Sequence, residues 1–101
     1  MIDKVLYSGL IRLHILHHAA EEPVFGLGII EELSRHGYSM SAGTLYPMLH
    51  GLEKKGYLSS YPERNGRRKR RMYKITEDGQ LALKDARSKV KELFHELIEG
   101  S

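Results

Sequence analysis

The fold is decided by residues 41–58, which read SAGTLYPMLHGLEKKGYL. In this stretch apolar residues recur every three or four positions, as they do on one face of an α-helix. Ser41 is a suitable N-cap and Gly56 a suitable stop, so we predict a helix from Ser41 to about Lys55. Its inward residues are Leu45, Met48, Leu49 and Leu52. Its outward residues are Gly43, Pro47, His50, Gly51 and Lys54, with Thr44 and Tyr46 beside them.

Pro47 disturbs this helix, because a proline ring clashes with the carbonyl group four residues earlier. The regular helix therefore either starts nearer Thr44 or bends at Pro47. A bend is less costly here because the residue at the clashing position is Gly43.

Two further helices are predicted before this stretch. The first covers residues 3–20, with Asp3 as its candidate N-cap. One of its faces carries Val5, Leu6, Leu10, Leu13 and Leu16 or His17, and a second face carries Ile11 and Ile15. A helix that is apolar on several sides is usually buried on several sides, which favours a partner chain. The second helix covers about 26–36 and ends at Gly37, with inward residues Leu27, Ile30 and Leu33.

A two-stranded hairpin is predicted after residue 56. Residues 57–62 have the composition of a strand, and residues 71–75 alternate polar and apolar side chains. Asn65-Gly66 between them is a strong hairpin-turn signal.

The positive charge is concentrated on this hairpin. The chain has 16 Lys and Arg against 13 Asp and Glu, a net charge of +3. Seven of these basic residues lie within 64–74, a stretch with no acidic residue, so the rest of the chain is slightly acidic. A concentrated basic element suits a polyanion, because each neutralised phosphate releases condensed counterions. The alternative is a solvated loop whose charges only prevent aggregation.

A long helix is predicted over residues 77–99, capped by the sequence Thr76-Glu77-Asp78-Gly79. Its apolar residues follow the spacing of a coiled-coil seam. These residues are Leu83, Ala86, Val90, Leu93 and Leu97, with Phe94 and Ile98 widening the stripe. Since this helix and the first one have wide apolar faces and share one small core, we expect a homodimer. The alternative is that the last helix packs against the first one within the same chain. Leu6, Leu10 and Leu13 of the first helix would fill the dimer seam.

These elements together predict a mainly α (α+β) fold, a winged helix-turn-helix with three helices, a two-stranded wing and a long C-terminal dimerisation helix. We expect one structural domain with two regions, residues 1–76 for DNA binding and residues 77–101 for dimerisation. The predicted contacts of the recognition helix are Ser41, Gly43, Thr44, Tyr46, Pro47, His50 and Lys54. The alternative for Tyr46 is a half-buried ring that packs under the wing with its hydroxyl near the DNA. The predicted contacts of the wing are Arg64, Arg67, Arg68, Lys69 and Arg70.

Other classes of protein have little support. Without cysteine the chain has no disulfide, Cys-zinc site or thiol nucleophile. There is no phosphate loop, nucleophile elbow or carboxylate pair, so we expect neither an enzyme nor a cofactor. His14 and His18 lie one helical turn apart, but zinc needs three or four ligands and no neighbouring motif completes the set, so we expect no metal. No stretch reads as a membrane span or signal peptide, which favours a cytoplasmic protein.

The sequence also resembles the PadR family of transcriptional regulators. Residues 41–58 resemble that family's recognition helix, and residues 66–79 and 25–33 resemble its wing and its second helix. The resemblance extends over about residues 5–98. It implies a bacterial dimeric DNA-binding regulator, usually a repressor released by a small molecule, in a short form with a single C-terminal dimerisation helix. It places seven residues near DNA, namely Thr44, Tyr46, Pro47, His50, Arg67, Arg68 and Lys69.

One feature of the family is missing from this chain. Some PadR proteins are described as holding flat aromatic drugs between Trp residues at the dimer interface, and this sequence has no Trp. The sequence leaves open whether a small aromatic effector binds near Phe94 or Tyr7, and no motif supports such a site.

The sequence therefore predicts a dimeric, sequence-specific regulator that binds a palindromic operator in double-stranded DNA, a repressor relieved by an effector. The alternatives are a winged-helix module that binds protein or RNA, since fold alone does not settle function, and a non-specific architectural DNA binder.

Overall fold

The structure is a computed structural model that describes residues 3–100, apart from the side chain of Asn65. Residues 1, 2 and 101, at the outer ends of the two predicted regions, lie outside this part. The elements in chain order are α1 (Ser8–Glu21), β1 (Val24–Phe25), α2 (Gly26–Arg35), α3 (Ala42–Lys54), β2 (Leu58–Asn65), β3 (Arg68–Ile75) and α4 (Glu77–Glu99). This arrangement confirms the predicted winged helix-turn-helix with a long C-terminal helix. No helix among the described residues is both long and apolar enough to cross a membrane.

The sheet has three strands, not the two that the sequence predicts, and their order is β1-β3-β2. The additional strand β1 is antiparallel to β3, with Val24 opposite Tyr73 and Phe25 opposite Met72. Two residues are too few to produce a recognisable alternation of polar and apolar side chains, so this strand had no signal in the sequence.

The wing formed by β2 and β3 is longer than predicted. The two strands pair from Leu58 opposite Ile75 to Asn65 opposite Arg68, which leaves a loop of Gly66 and Arg67. The predicted turn at Asn65-Gly66 is therefore wrong by one residue. Gly66 has a φ of +66°, which suits the first position of a two-residue hairpin loop.

Helix α1 buries the face opposite to the main predicted one. Ile11 and Ile15 are fully buried, whereas Leu6 and Leu10 are exposed. Apolar side chains are spread almost evenly around α1, so its periodicity did not decide which face packs inward. The predicted start is also wrong, because α1 begins at Ser8. The Asp3 carboxylate instead accepts hydrogen bonds from the Val5 and Leu6 amides, in the turn before the helix.

Helix α2 buries Gly26, Ile29 and Leu33. The expectation that Leu27 faces inward is wrong, because its side chain is 60% exposed. The predicted set of inward residues and the observed set both have helical spacing, and the close packing at the buried Gly26 selects the observed one. A Cβ at this position would lie only 2.3 Å from the Tyr46 hydroxyl, so glycine lets α3 approach closely.

Helix α3 has the predicted inward face, and Leu45, Met48, Leu49 and Leu52 are all buried. It begins at Ala42 with Pro47 inside it, so the alternative of a later start is wrong. Ser41 is the N-cap residue, but its side chain makes no capping hydrogen bond.

Helix α4 has the predicted bounds. The Thr76 hydroxyl accepts a hydrogen bond from the Gly79 amide at 3.0 Å, which caps the helix, and donates to the Gly56 carbonyl. Leu83 is only 6% exposed and belongs to the core of the single chain. From Arg87 onward every residue of α4 is exposed, so the second half of the helix extends away from the core.

Candidate nucleic-acid interface

The outer face of α3 is a narrow surface with few long side chains. Ser41, Gly43, Pro47, His50 and Lys54 are exposed, as predicted for a face that contacts a ligand closely. Thr44 is half-buried, and its hydroxyl lies 3.4 Å from that of Ser41. A face of this kind can approach a nucleic-acid groove and present hydroxyl and imidazole groups to base edges.

Tyr46 has a different position from the other predicted contacts. Its ring packs against the core and its hydroxyl reaches the N-terminal end of α2 at Gly26. Its ring centroid is 6.3 Å from that of His50. Tyr46 therefore supports the exposed face of α3 from the side and fixes α3 against α2.

Four exposed basic side chains lie near the tip of the wing and have no ion pair among the described residues. Arg64, Arg67, Arg68 and Lys69 are exposed, and none has a carboxylate oxygen within 4.0 Å in the part of the chain that the structure describes. Arg64 lies directly opposite Lys69 in the pairing of β2 with β3. Directly opposed like charges destabilise a sheet, so folding alone does not explain this pair.

Arg70 differs from these four residues because it has partners inside the chain. Its Nε donates a hydrogen bond to Glu63 Oε2 at 3.0 Å. Its guanidinium carbon lies 4.0 Å from the centre of the Phe25 ring, in a cation–π contact. Arg70 joins β1 to the wing, and only part of its charge is available to a ligand.

A network of hydrogen bonds connects α3 to the wing, and no pattern in the sequence predicted it. Glu53 Oε2 accepts hydrogen bonds from the Ser60 amide at 3.1 Å and from the Ser60 hydroxyl at 2.7 Å. Arg71 then donates to the Ser60 hydroxyl at 3.1 Å. Burial and the nearby Glu53 raise the pKa of Tyr73. The three bonded residues hold α3 against the wing, and they come from three different elements, α3, β2 and β3.

The helices and the wing enclose one cleft of about 430 Å³. It is lined by Phe25, Gly26, Leu27, Tyr46, Arg68, Lys69, Arg70 and Arg71. The cleft brings the start of α2, the side of α3 and the basic wing strand onto one surface. A phosphate group suits such a place, because the N-terminus of a helix lies near arginine and lysine side chains.

The residues predicted for dimerisation lie in the core, in a second groove and on the exposed surface outside that groove. Leu83 lies mostly in the core, as described above, whereas Leu6, Val90, Leu93 and Leu97 are exposed. Between α1 and α4 there is a groove of about 490 Å³. It is lined by Leu10, Leu13, His14, His17, Leu83, Ala86, Arg87, Val90, Lys91 and Phe94.

A group of histidines lies between α1 and the end of α2, and one of its members, His14, also lines the groove between α1 and α4. His14, His18 and His36 bring their rings close together there. Burial, together with the neighbouring His36, His18 and His17, lowers the pKa of His14.

Comparisons with known proteins agree on one family. The family model described as the transcriptional regulator PadR-like family matches residues 15–85. Transcriptional regulator Rv3488 of Mycobacterium tuberculosis is 49% identical over 90 residues, which cover 89% of this chain and 84% of that protein. The PadR-like members are named as transcriptional regulators and not as enzymes.

Solved structures give the same result. The crystal structure of a PadR family transcriptional regulator from Eggerthella lenta has a TM-score of 0.78 and 30% identity, with 87% of this chain and 78% of that chain covered. The crystal structure of Bacillus subtilis PadR in complex with operator DNA has a TM-score of 0.68 and 21% identity, with 75% of this chain and 45% of that chain covered. With its winged helix-turn-helix, its basic wing and these relatives, the chain belongs to the PadR-like family of transcriptional regulators.

Proposed function

We propose that this protein is a dimeric regulator that binds specific sequences in double-stranded DNA. The observation that carries the proposal is the surface on which one cleft brings the side of α3, at Tyr46, together with Arg68 and Lys69 of the basic wing. The operator complex of Bacillus subtilis PadR supports it, because that protein has the same fold.

The two parts of this surface have different tasks. Helix α3 enters the major groove, where Thr44 and His50 contact base edges and read the sequence. Arg64, Arg67, Arg68 and Lys69 contact phosphates of the neighbouring backbone, which positions the protein without reading sequence. The Glu53–Ser60 hydrogen bonds keep both parts at a fixed angle.

The dimer is formed through the exposed half of α4 and the groove between α1 and α4. Leu97 is 72% exposed in the single chain, and Val90, Leu93 and Phe94 are about half exposed on the same helix. A second copy covers this stripe and places two recognition helices about one helical turn apart, roughly 34 Å. The operator is then palindromic, because the protein dimer has a two-fold axis.

We further propose that the protein is a repressor that a small aromatic molecule releases from DNA. The groove beside Leu10, Leu13 and Phe94 is apolar and borders the dimer stripe. A ligand there changes DNA affinity only if it binds better to a dimer with another spacing of its recognition helices. A small aromatic molecule that binds this groove is then expected to lower the affinity of the wild type for operator DNA. Phe94 belongs to both the groove and the dimer stripe, so Phe94→Ala is expected to weaken binding of the molecule measured without DNA.

Binding to labelled nucleic acids, followed by fluorescence anisotropy over a series of salt concentrations, tests the proposal. We expect binding to duplex DNA that weakens steeply as salt rises, and a two-chain mass by light scattering. Preference for duplex RNA, or no binding to either nucleic acid, would overturn it and favour an RNA-binding or protein-binding module.

A further inference from the structure

Three histidines from two helices converge on one point. His14 and His18 lie one turn apart on α1, and His36 is the C-cap residue of α2. One ring nitrogen from each of them lies within 4.8 Å of the other two. The ring centres of His14 and His36 are 4.7 Å apart. The sequence contains only the His14–His18 pair as a local motif, because the third member comes from another helix.

His18 is oriented as a metal ligand is in known sites. Its Nε2 is buried and has no hydrogen-bond partner among the residues that the structure describes. Its Nδ1 faces acidic groups, 3.5 Å from Glu21 Oε1 and 3.9 Å from Glu32 Oε1. Metal-bound histidines usually direct their second ring nitrogen toward a carboxylate or carbonyl, which fixes the ring and increases its basicity.

We propose that His14, His18 and His36 form a binding site for a divalent transition-metal ion, with Zn²⁺ as the best fit. Neutral imidazoles suit zinc, nickel and copper, whereas magnesium and calcium prefer oxygen ligands. In a tetrahedral zinc site with Zn–N bonds of about 2.0–2.1 Å, ligand nitrogens are about 3.4 Å apart. Small rotations of the three side chains bring their nitrogens to that separation. Water supplies the fourth ligand.

A second group of side chains competes for the same role. His17, His18 and Glu21 also have ligand atoms within 4.8 Å of one another. His17 and Glu21 are exposed, and they already face each other at 3.7 Å across one helical turn. The first group fits better because it joins two helices and two of its three members, His14 and His18, are half-buried. His36 directly precedes the segment that leads into α3, so an ion there ties α1 to the helix-turn-helix.

The test uses the full chain without a histidine tag, treated with chelator and titrated with Co²⁺ and then with Zn²⁺. We expect one Co²⁺ per chain, with the visible absorption of four-coordinate cobalt, and its displacement by Zn²⁺. His36→Gln removes one ligand at an exposed position and is expected to lower the affinity by at least about 100-fold. His17→Gln is the matched control, one residue from His18 on the same helix, and is expected to bind as the wild type does.

Thermal unfolding provides an independent readout. An ion that binds only the folded state raises the melting temperature, so Zn²⁺ should stabilise the wild type and not His36→Gln. The proposal is overturned if the wild type shows no saturable binding, or if His36→Gln binds as well as the wild type. Loss of binding in His17→Gln but not in His36→Gln would assign the ion to the second group. None of these readouts depends on DNA.

Discussion

Removing the opposed cations of the wing should have opposite effects on DNA binding and on folding. Arg64 and Lys69 face each other across β2 and β3, are exposed, and have no carboxylate nearby among the described residues. In the double variant Arg64→Gln/Lys69→Gln this repulsion disappears. Opposed like charges cost roughly 0.2–1 kcal/mol in a sheet. The variant should therefore be as stable as the wild type or more stable by up to about 1 kcal/mol, which is about 4–8 °C in melting temperature.

The variant removes two basic side chains from each chain and therefore four from the proposed dimer, and the expected loss of DNA affinity follows from these four. Each phosphate contact contributes about 0.9 to the slope of log affinity against log salt concentration, so four lost contacts reduce the slope by about 3.6. Affinity should fall for operator and random duplexes alike, because phosphate contacts do not read sequence. Fluorescence anisotropy over several salt concentrations measures the slope, and circular dichroism measures the melting temperature.

The matched control is Lys84→Gln/Lys89→Gln, which removes the same number of charges from exposed positions on α4. It should leave the salt slope within error of the wild type. The reasoning is refuted if the wing variant keeps the wild-type slope. It is also refuted if that variant melts well below the wild type, since the two charges would then stabilise the fold.

Three further predictions address the other surfaces. His50→Ala should change which base is preferred at one position of each half-site, at a cost of about 1–3 kcal/mol for the preferred sequence, as measured by competition between duplexes. Leu97→Glu should give monomers in sedimentation velocity experiments, whereas Leu81→Glu, equally apolar and 60% exposed but on the opposite side of α4, should stay dimeric. Leu83→Ala should lower the free energy of unfolding by about 2–5 kcal/mol in denaturant titrations, because this side chain lies in the core, and a loss below 1 kcal/mol would contradict that placement.

Regular periodicity explains which parts of the fold could be predicted. The inward face of α3 and the bounds of α4 were predicted correctly because a single apolar stripe stands out on each helix. In α1 the apolar residues surround the helix, so packing against the other elements selected Ile11 and Ile15. In α2 two sets of residues have the spacing of a buried helix face, and the close approach of Tyr46 to Gly26 selected the set that contains Gly26.

The missing features are those that arise only from contacts distant in sequence. Strand β1 has two residues and exists because β3 offers it an edge. The Glu53–Ser60–Arg71 chain and the meeting of His36 with α1 also depend on how elements pack. The basic character of the wing was evident from composition, but its division into free cations and the internally bound Arg70 was not.

The central claim is that the chain reads DNA sequence as a symmetric dimer. The most direct test is enrichment of bound duplexes from a random-sequence pool at physiological salt, with the wild type and His50→Ala compared in parallel. We expect a palindromic consensus with half-sites about one helical turn apart, and an altered base within each half-site for the variant. A pool that stays random despite salt-sensitive binding would contradict the claim and indicate a non-specific architectural DNA binder.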